Sequence, residues 1–168
     1  MKTILKEYMN GVETDLQKRI KQLKVAIEWD KLSTKLKSEL ISNALEAAMS
    51  KVIPNCEAPT VDSKSDVYIN GVALEIKTTS TSYTWQGGEF SKRPADYLLV
   101  GYTDDGVGNN IKLFVLHTKL KESDWISSKS DNYYATSIQL KYILKNNKYT
   151  VLTGNIQQKR THPHMVCV

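Results

Sequence analysis

The hydrophobic period of this chain changes once, from that of a helix to that of a strand, and this limits the folds open to it. Apolar side chains repeat at three- and four-residue spacing through residues 16–27 and again through 36–52. They predict two helices broken near "DKLST", where Ser33 or Thr34 can cap the second. After the connector "VIPNCEAPTVDSKSD" the period falls to two. We therefore expect N-terminal helices followed by a sheet.

The segment "DVYINGVALEIKT" carries the strongest local signal, because Asn-Gly between two apolar runs is typical of a two-residue hairpin. If Asn70 and Gly71 form the turn, Asp66 lies directly opposite Glu75. Side chains so paired have Cβ atoms about 4.5–5.5 Å apart, and like charges there repel. Lys77 shares the face of Glu75, because side chains alternate along a strand.

The rest of the chain predicts further strands. "STSYTWQGGEFSKRP" is typical of a loop, "ADYLLVGYT" of a central strand and "IKLFVLHT" of its neighbour. "LKESDWISS" suggests a short helix, and "SIQLKYILKNNKYTVLTG" a hairpin turning at Asn146-Asn147. We expect one domain of the α/β (α+β) class, with a central mixed sheet flanked by helices. Its parts are a helical segment 1–53, a core 60–118, and a C-terminal hairpin and tail 119–168.

Composition excludes several classes of protein. With 40% hydrophobic and 24% charged residues, the chain is an ordinary globular protein. No apolar run approaches the roughly 20 residues that span a bilayer, and the N-terminus lacks the apolar stretch of a signal peptide. We therefore expect a cytoplasmic protein without membrane contact, whose two distant cysteines are reduced thiols. The net charge of +5 and pI near 9.1 favour a polyanionic partner.

Two readings of the hairpin charges are open. Glu75 and Lys77 can be a solvent-facing ion pair, with Asp66 merely starting a strand. Alternatively, the two carboxylates share a hard cation such as Mg²⁺, beside which the lysine orients the attacking water and stabilises charge on a phosphate. The pattern of an acid two residues before a lysine also occurs at Asp62-Ser63-Lys64. Only the second copy ends an apolar strand, where unpaired charges are costly, and this favours the metal site.

Asp66 followed by Glu75-Ile76-Lys77 on a hairpin resembles the PD-(D/E)xK nuclease superfamily, which includes the type II restriction endonucleases. The resemblance covers residues 35 to 118 and includes the preceding helices and the later apolar strand. It implies a restriction-endonuclease-like core and Mg²⁺-dependent hydrolysis of DNA, with Mn²⁺ as a substitute. Ser65 stands where the family pattern has proline.

Carried over to this chain, the resemblance assigns Asp66 and Glu75 as metal ligands and the carbonyl of Ile76 as a candidate third. Lys77 would position the attacking water. Many members of the family add an acid from a preceding helix, and Glu46 or Glu39 could serve, although an exposed helical residue is the simpler account of Glu46. Asp62 could replace Asp66 if the turn register slips.

Candidate DNA contacts lie in the polar loop and in the last third of the chain. Amide, aromatic and basic side chains beside the metal could enter a groove, where arginine pairs with guanine and glutamine with adenine. Trp85 could equally cover the core, and Arg93 could cap carbonyls. Lysines near the C-terminus are candidate phosphate contacts. The proposed DNA-binding residues are Tyr83, Trp85, Gln86, Lys92, Arg93, Lys141, Lys159 and Arg160.

The sequence therefore predicts a Mg²⁺-dependent endodeoxyribonuclease, best described as a type II restriction enzyme. A homodimer is expected, because one 19.0 kDa subunit offers one metal site whereas cutting both strands of a symmetric target needs two. A Holliday-junction or repair nuclease would use the same site. A non-catalytic DNA-binding or assembly protein would use these charges structurally, and an RNA-directed enzyme is also compatible with the residues.

Overall fold

The computed structural model describes residues 1–57, 65–80, 83–87, 95–104, 111–130 and 133–154, without the side chains of 128–130 and 133–135. Several residues singled out from the sequence lie outside these ranges. They are Asp62, Lys92, Arg93, Lys159 and Arg160. In the described part of the chain, no helix is both long and apolar enough to cross a membrane.

The N-terminal third forms the two predicted helices, α1 (Lys2–Ala26) and α2 (Thr34–Val52), joined through a 3₁₀ turn at Trp29–Lys31. The apolar stripe of α1 is buried at three- and four-residue spacing from Leu5 to Ile20. The predicted stripe continued to residue 27, but Ile27 lies beyond the end of the helix and is 38% exposed. Ser33 caps α2, and its hydroxyl accepts a hydrogen bond from the Leu36 N–H at 3.2 Å. The sequence therefore located both helices and the break between them.

The described residues also form a third helix and nine strands in two sheets. The main sheet has six strands in the order β1-β2-β3-β5-β6-β9, and the second has three in the order β4-β8-β7. Their bounds are β1 Cys56–Glu57, β2 Val67–Ile69, β3 Val72–Thr79, β4 Thr84–Gln86, β5 Ala95–Thr103, β6 Lys112–Leu120, β7 Ile126–Ser130, β8 Tyr133–Gln139, α3 Leu140–Asn146 and β9 Tyr149–Thr153. The mixed α+β class with N-terminal helices is confirmed.

The hairpin of β2 and β3 has the predicted register. Val67 pairs with Leu74, and Ile69 with Val72, across the two-residue turn. Asn70 and Gly71 both have positive φ, of 50° and 79°, which is the backbone that asparagine and glycine tolerate in such turns. Two adjacent residues therefore fix the alignment of the strand that carries Glu75.

Strand β5 is the centre of the main sheet. It runs parallel to β3 and antiparallel to β6, and its side chains enter two separate hydrophobic clusters. Leu98 and Val100 pack in the cluster that contains α1 and α2. Tyr97 and Leu99, at the alternate positions, pack in a second cluster with Trp85 and residues of β8 and α3. Burial on both faces explains the continuous apolar run of β5.

Two sequence predictions were wrong about the connections. The loop predicted over 80–94 contains strand β4, which leaves the main sheet and pairs with β8. A three-residue strand is too short for its alternation to be recognised. The predicted hairpin around Asn146-Asn147 is instead helix α3 followed by β9, which pairs with β6. Leu140 and Ile143 are buried one helical turn apart, a spacing that a short apolar run shares with strands.

The segment predicted as a short helix at "LKESDWISS" is confirmed in part. A 3₁₀ turn covers Glu122–Asp124, and the chain then enters β7. The Asp124 carboxylate accepts hydrogen bonds from the Lys121 N–H at 2.9 Å and the Tyr142 hydroxyl at 3.0 Å. This buried acid therefore has a structural role, holding the turn against α3.

Trp85 anchors β4 to the main sheet. It is 0% exposed, and its indole N–H donates a hydrogen bond to the Val100 carbonyl at 3.0 Å. We expect Trp85→Phe to lower the free energy of unfolding by about 2–3 kcal/mol, since it removes both apolar contacts and a buried hydrogen bond. Urea denaturation followed by circular dichroism would measure the loss.

Trp125→Phe is the matched control. Trp125 is also buried, but its indole nitrogen has no hydrogen-bond partner within the described part of the chain. The same substitution there should cost about 1 kcal/mol less than at Trp85. Equal losses in the two variants would contradict the anchoring role of the Trp85 hydrogen bond.

Candidate active site

Asp66 lies immediately before β2, and its side chain takes the place of the next rung of the hairpin. The carboxylate accepts a hydrogen bond from the Ile76 N–H at 2.7 Å, next to Glu75 on β3. A carboxylate held by a backbone N–H has its position set by the strand itself. The hairpin register therefore brings Asp66 next to Glu75, the residue that the sequence predicted it would face.

Glu75 is only 6% exposed. Its carboxyl group is within hydrogen-bonding reach of Asp66 and of the Ser65 side chain. Burial raises the pKa of Glu75, and the negative charge of Asp66 raises it further, whereas the Ser65 hydrogen bond and the Lys77 charge act in the opposite direction. The side chain is thus a buried acid whose ionisation is opposed by its own neighbour.

Glu46 joins this group from helix α2. Its burial, followed by the charge of Asp66, raises its pKa from 4.5 to about 7. Asp66 therefore influences a carboxyl group on the helix and another on the adjacent strand. Glu39, the other helical acid considered from the sequence, is exposed and also lines the cleft described next.

A cleft of about 780 Å³ opens between α2 and the end of the hairpin. Asp66 and Lys77 lie in its wall together with Glu46, so three of the predicted site residues meet there. Glu75 is not among the described residues that line it, and it reaches the cleft through its contact with Asp66. The complete lining is Lys35, Ser38, Glu39, Ser42, Asn43, Glu46, Asp66, Ile76, Lys77, Thr78 and Gln86.

The donor atoms of this site suit a hard cation. Mg²⁺ prefers oxygen ligands and is usually held by one or two carboxylates with several waters. Asp66 and Glu75 offer carboxylates in mutual contact, Ile76 lines the cleft beside them, and Glu46 adds a further acid. No cluster of three or more histidine, cysteine or acidic residues with the spacing of metal ligands occurs among the described residues. The case for a Mg²⁺ site here therefore depends on the oxygen donors of these residues and on the mutual repulsion of the acids, which a cation would relieve.

The predicted DNA-binding residues of the polar loop lie in different environments. Gln86 is exposed and lines the cleft. Trp85 belongs to the core, which is the second of the two roles the sequence left open, and its ring has no surface free for a base. Tyr83 is half-buried and makes edge contacts with Trp85 and Phe114, with ring centroids 6.5 and 5.8 Å apart. Lys141 is exposed on α3, outside the cleft.

Sequence reasoning missed one wall of the cleft. Lys35, Ser38, Ser42 and Asn43 line it from α2, at positions that recur every three or four residues and so share a face with Glu46. This polar stripe was visible in the sequence as the reverse side of the apolar stripe. It was not singled out because a polar helical face is ordinarily just solvated.

Comparisons with known proteins do not assign the chain to a family. A scan against protein-family models finds no match to the chain, and a search of curated proteins finds no significant similarity. Only the side chains of the cleft therefore indicate a function.

The raised pKa of Glu46 predicts a measurable effect on stability. A carboxyl group with a pKa higher in the folded state than in the unfolded state contributes stability below pH 4.5 that is lost as the pH rises to about 7. We expect Glu46→Gln to lose less stability than the parent between these pH values. Because the group is half-solvated, the difference should be about 1–2 kcal/mol rather than the full value of the shift.

Urea denaturation in EDTA at several pH values would measure this difference. Glu39→Gln, on the exposed part of the same helix face, is the matched control and should change stability by no more than about 0.5 kcal/mol at any pH. Parallel stability profiles for the parent and Glu46→Gln would contradict the raised pKa of Glu46.

Proposed function

We propose that this protein is a Mg²⁺-dependent endodeoxyribonuclease that cleaves double-stranded DNA as a type II restriction enzyme. The observation that supports the proposal most is the Asp66 hydrogen bond to the Ile76 N–H, at 2.7 Å, which fixes one carboxylate between Glu75 and Lys77. Glu46 approaches the same carboxylate from α2. Acids that repel one another lower the stability of the fold. Beside a lysine in an open cleft, such acids are typical of a site that binds a cation and a phosphodiester.

Each residue of the site then has a distinct role. Mg²⁺, held by Asp66 and Glu75 with the Ile76 carbonyl and Glu46 as further candidate donors, would supply positive charge to the phosphate and acidify water. The Lys77 ammonium group would donate hydrogen bonds that orient the attacking water and stabilise negative charge on the phosphate. Water adds to phosphorus as one P–O ester bond breaks, and the products are a phosphomonoester and a hydroxyl group.

The DNA substrate and the dimer are also parts of this proposal. A net charge of +5 favours a polyanion. Gln86 lines the same cleft as Lys77, and its amide could contact a base edge there. A subunit with one such site cuts one strand, so a symmetric double-strand break requires two copies related by a two-fold axis. We propose a homodimer on this ground.

Cleavage of a long DNA of known sequence tests the activity. The purified protein should give discrete fragments with Mg²⁺ and none with EDTA, and on a supercoiled plasmid that contains the site it should give linear product. A smear would indicate a non-specific nuclease, and preference for branched DNA would indicate a junction or repair enzyme. No cleavage with Mg²⁺ or Mn²⁺ over a range of salt would contradict the proposal and favour a non-catalytic DNA-binding protein.

Substitutions in the cleft separate catalysis from binding. Asp66→Ala and Glu75→Ala should reduce cleavage by about 10³-fold or more while DNA binding is kept or strengthened, because repulsion of the phosphates falls. Lys77→Ala should cost about 10²–10³-fold in rate. Asp30→Ala and Lys18→Ala, at exposed positions outside the cleft, are matched controls. Folded variants of Asp66 and Glu75 that lose binding, or an unimpaired Lys77→Ala, would contradict these roles.

A further inference from the structure

The wall of the cleft formed by α2 carries a cation near one end and an acid at the other. Glu46 lies at the end that faces Asp66, and Lys35 lies three helical turns earlier on the same face. At a rise of 1.5 Å per residue the two positions are about 16 Å apart. Ser38, Ser42 and Asn43 lie between them and also line the cleft. The wall therefore has a cation at one end and an acid at the other, with neutral hydrogen-bonding groups and one exposed acid, Glu39, between them.

Ser42 and Thr78 form a hydroxyl pair that joins this wall to strand β3. Their oxygens are 2.6 Å apart, and both residues line the cleft. Each hydroxyl carries one hydrogen, but a hydrogen bond between the two uses only one of them. The hydrogen of the accepting hydroxyl, whether that of Ser42 or of Thr78, is then available to another acceptor in the cleft. An anionic oxygen entering the cleft is such an acceptor.

We infer that the α2 wall is a subsite for the phosphates that flank the scissile one on a single DNA strand. Lys35 pairs with a phosphate at the far end of the cleft, and the Ser42–Thr78 pair donates a hydrogen bond to a phosphate nearer Lys77. Successive phosphates of one strand advance by about 3.4 Å along the DNA axis, so the wall is long enough for several of them. This inference rests on the proposed nuclease function and adds the path of the substrate strand.

Substitution of Glu39 should change DNA affinity in the direction opposite to substitution of Lys35. It is exposed on the same wall, between Lys35 and Ser42, and a carboxylate there repels a strand that follows the cleft. Removing Glu39 should therefore strengthen binding, whereas removing Lys35 should weaken it. If the wall were only a solvated helix face, neither substitution would change DNA binding.

Salt-dependent DNA binding tests the subsite without knowledge of the recognition sequence. We would measure the anisotropy of a short fluorescein-labelled duplex of random sequence in EDTA, between about 50 and 200 mM salt. Lys35→Gln should reduce the slope of log K against log salt by about 0.9 and weaken binding about five- to tenfold near 0.1 M salt. Lys18→Gln, an exposed lysine of α1 outside the cleft, is the matched control and should leave the slope unchanged.

The neutral residues should respond differently. Ser42→Ala and Thr78→Val should weaken binding about two- to fivefold with an unchanged salt slope, because a hydroxyl releases no counterion from DNA. Glu39→Gln should tighten binding about two- to fivefold. Circular dichroism and urea denaturation would establish that each variant is folded.

The outcomes distinguish the subsite from the proposed function. If the parent cleaves DNA with Mg²⁺ but Lys35→Gln and Glu39→Gln bind like Lys18→Gln, the subsite is wrong and the nuclease stands. If the parent neither binds nor cleaves DNA, the nuclease is wrong and the subsite with it. Binding to an RNA duplex but not to DNA, with the same response to Lys35→Gln, would overturn the DNA assignment of both.

Discussion

The hydrogen bond between the Ile76 N–H and the Asp66 carboxylate is the contact on which the candidate site depends. It exists because a two-residue turn sets the register of β2 and β3. A slip of one residue would turn every side chain of a strand to the opposite face. Glu75 would then leave the interior, and Lys77 would leave the cleft. The turn at Asn70 and Gly71 thus determines the positions of Asp66, Glu75 and Lys77.

The same contact holds the Asp66 carboxylate close to Glu46 and Glu75, and the repulsion between these acids opposes folding. Burial raises the pKa values of Glu46 and Glu75, and the charge of Asp66 raises both further, on two different elements. Structural acids in this protein are arranged differently. The carboxylate of Asp104 accepts hydrogen bonds from Lys24 and the Trp29 indole, at 3.2 and 2.6 Å. Acids held close enough to raise one another's pKa are typical of sites where stability is given up for function.

Much of this arrangement was predictable because its determinants are local in sequence. The helices, the break at Ser33 and the hairpin register follow from spacing, a capping residue and turn chemistry, which act over a few residues. Glu46 could be proposed but not assigned, since its distance to Asp66 depends on how α2 packs against the sheet. Trp85 and β4 show the limit most clearly. Whether the indole meets DNA or the core is decided by β5 and β8, which are distant in sequence.

The crossover between β3 and β5 positions Gln86 in the cleft, whereas the β2–β3 hairpin positions Asp66 and Lys77. A parallel pair cannot be closed by a tight turn, so the chain leaves the sheet after Thr79, forms β4 and returns at Ala95. The hairpin that holds Asp66 is complete before this excursion begins. Gln86 is positioned by the excursion itself, through Trp85 and the pairing with β8. We therefore expect that sequence changes in the crossover can alter the DNA recognition proposed for the cleft. Asp66, Glu75 and Lys77, the groups proposed for hydrolysis, would keep their arrangement.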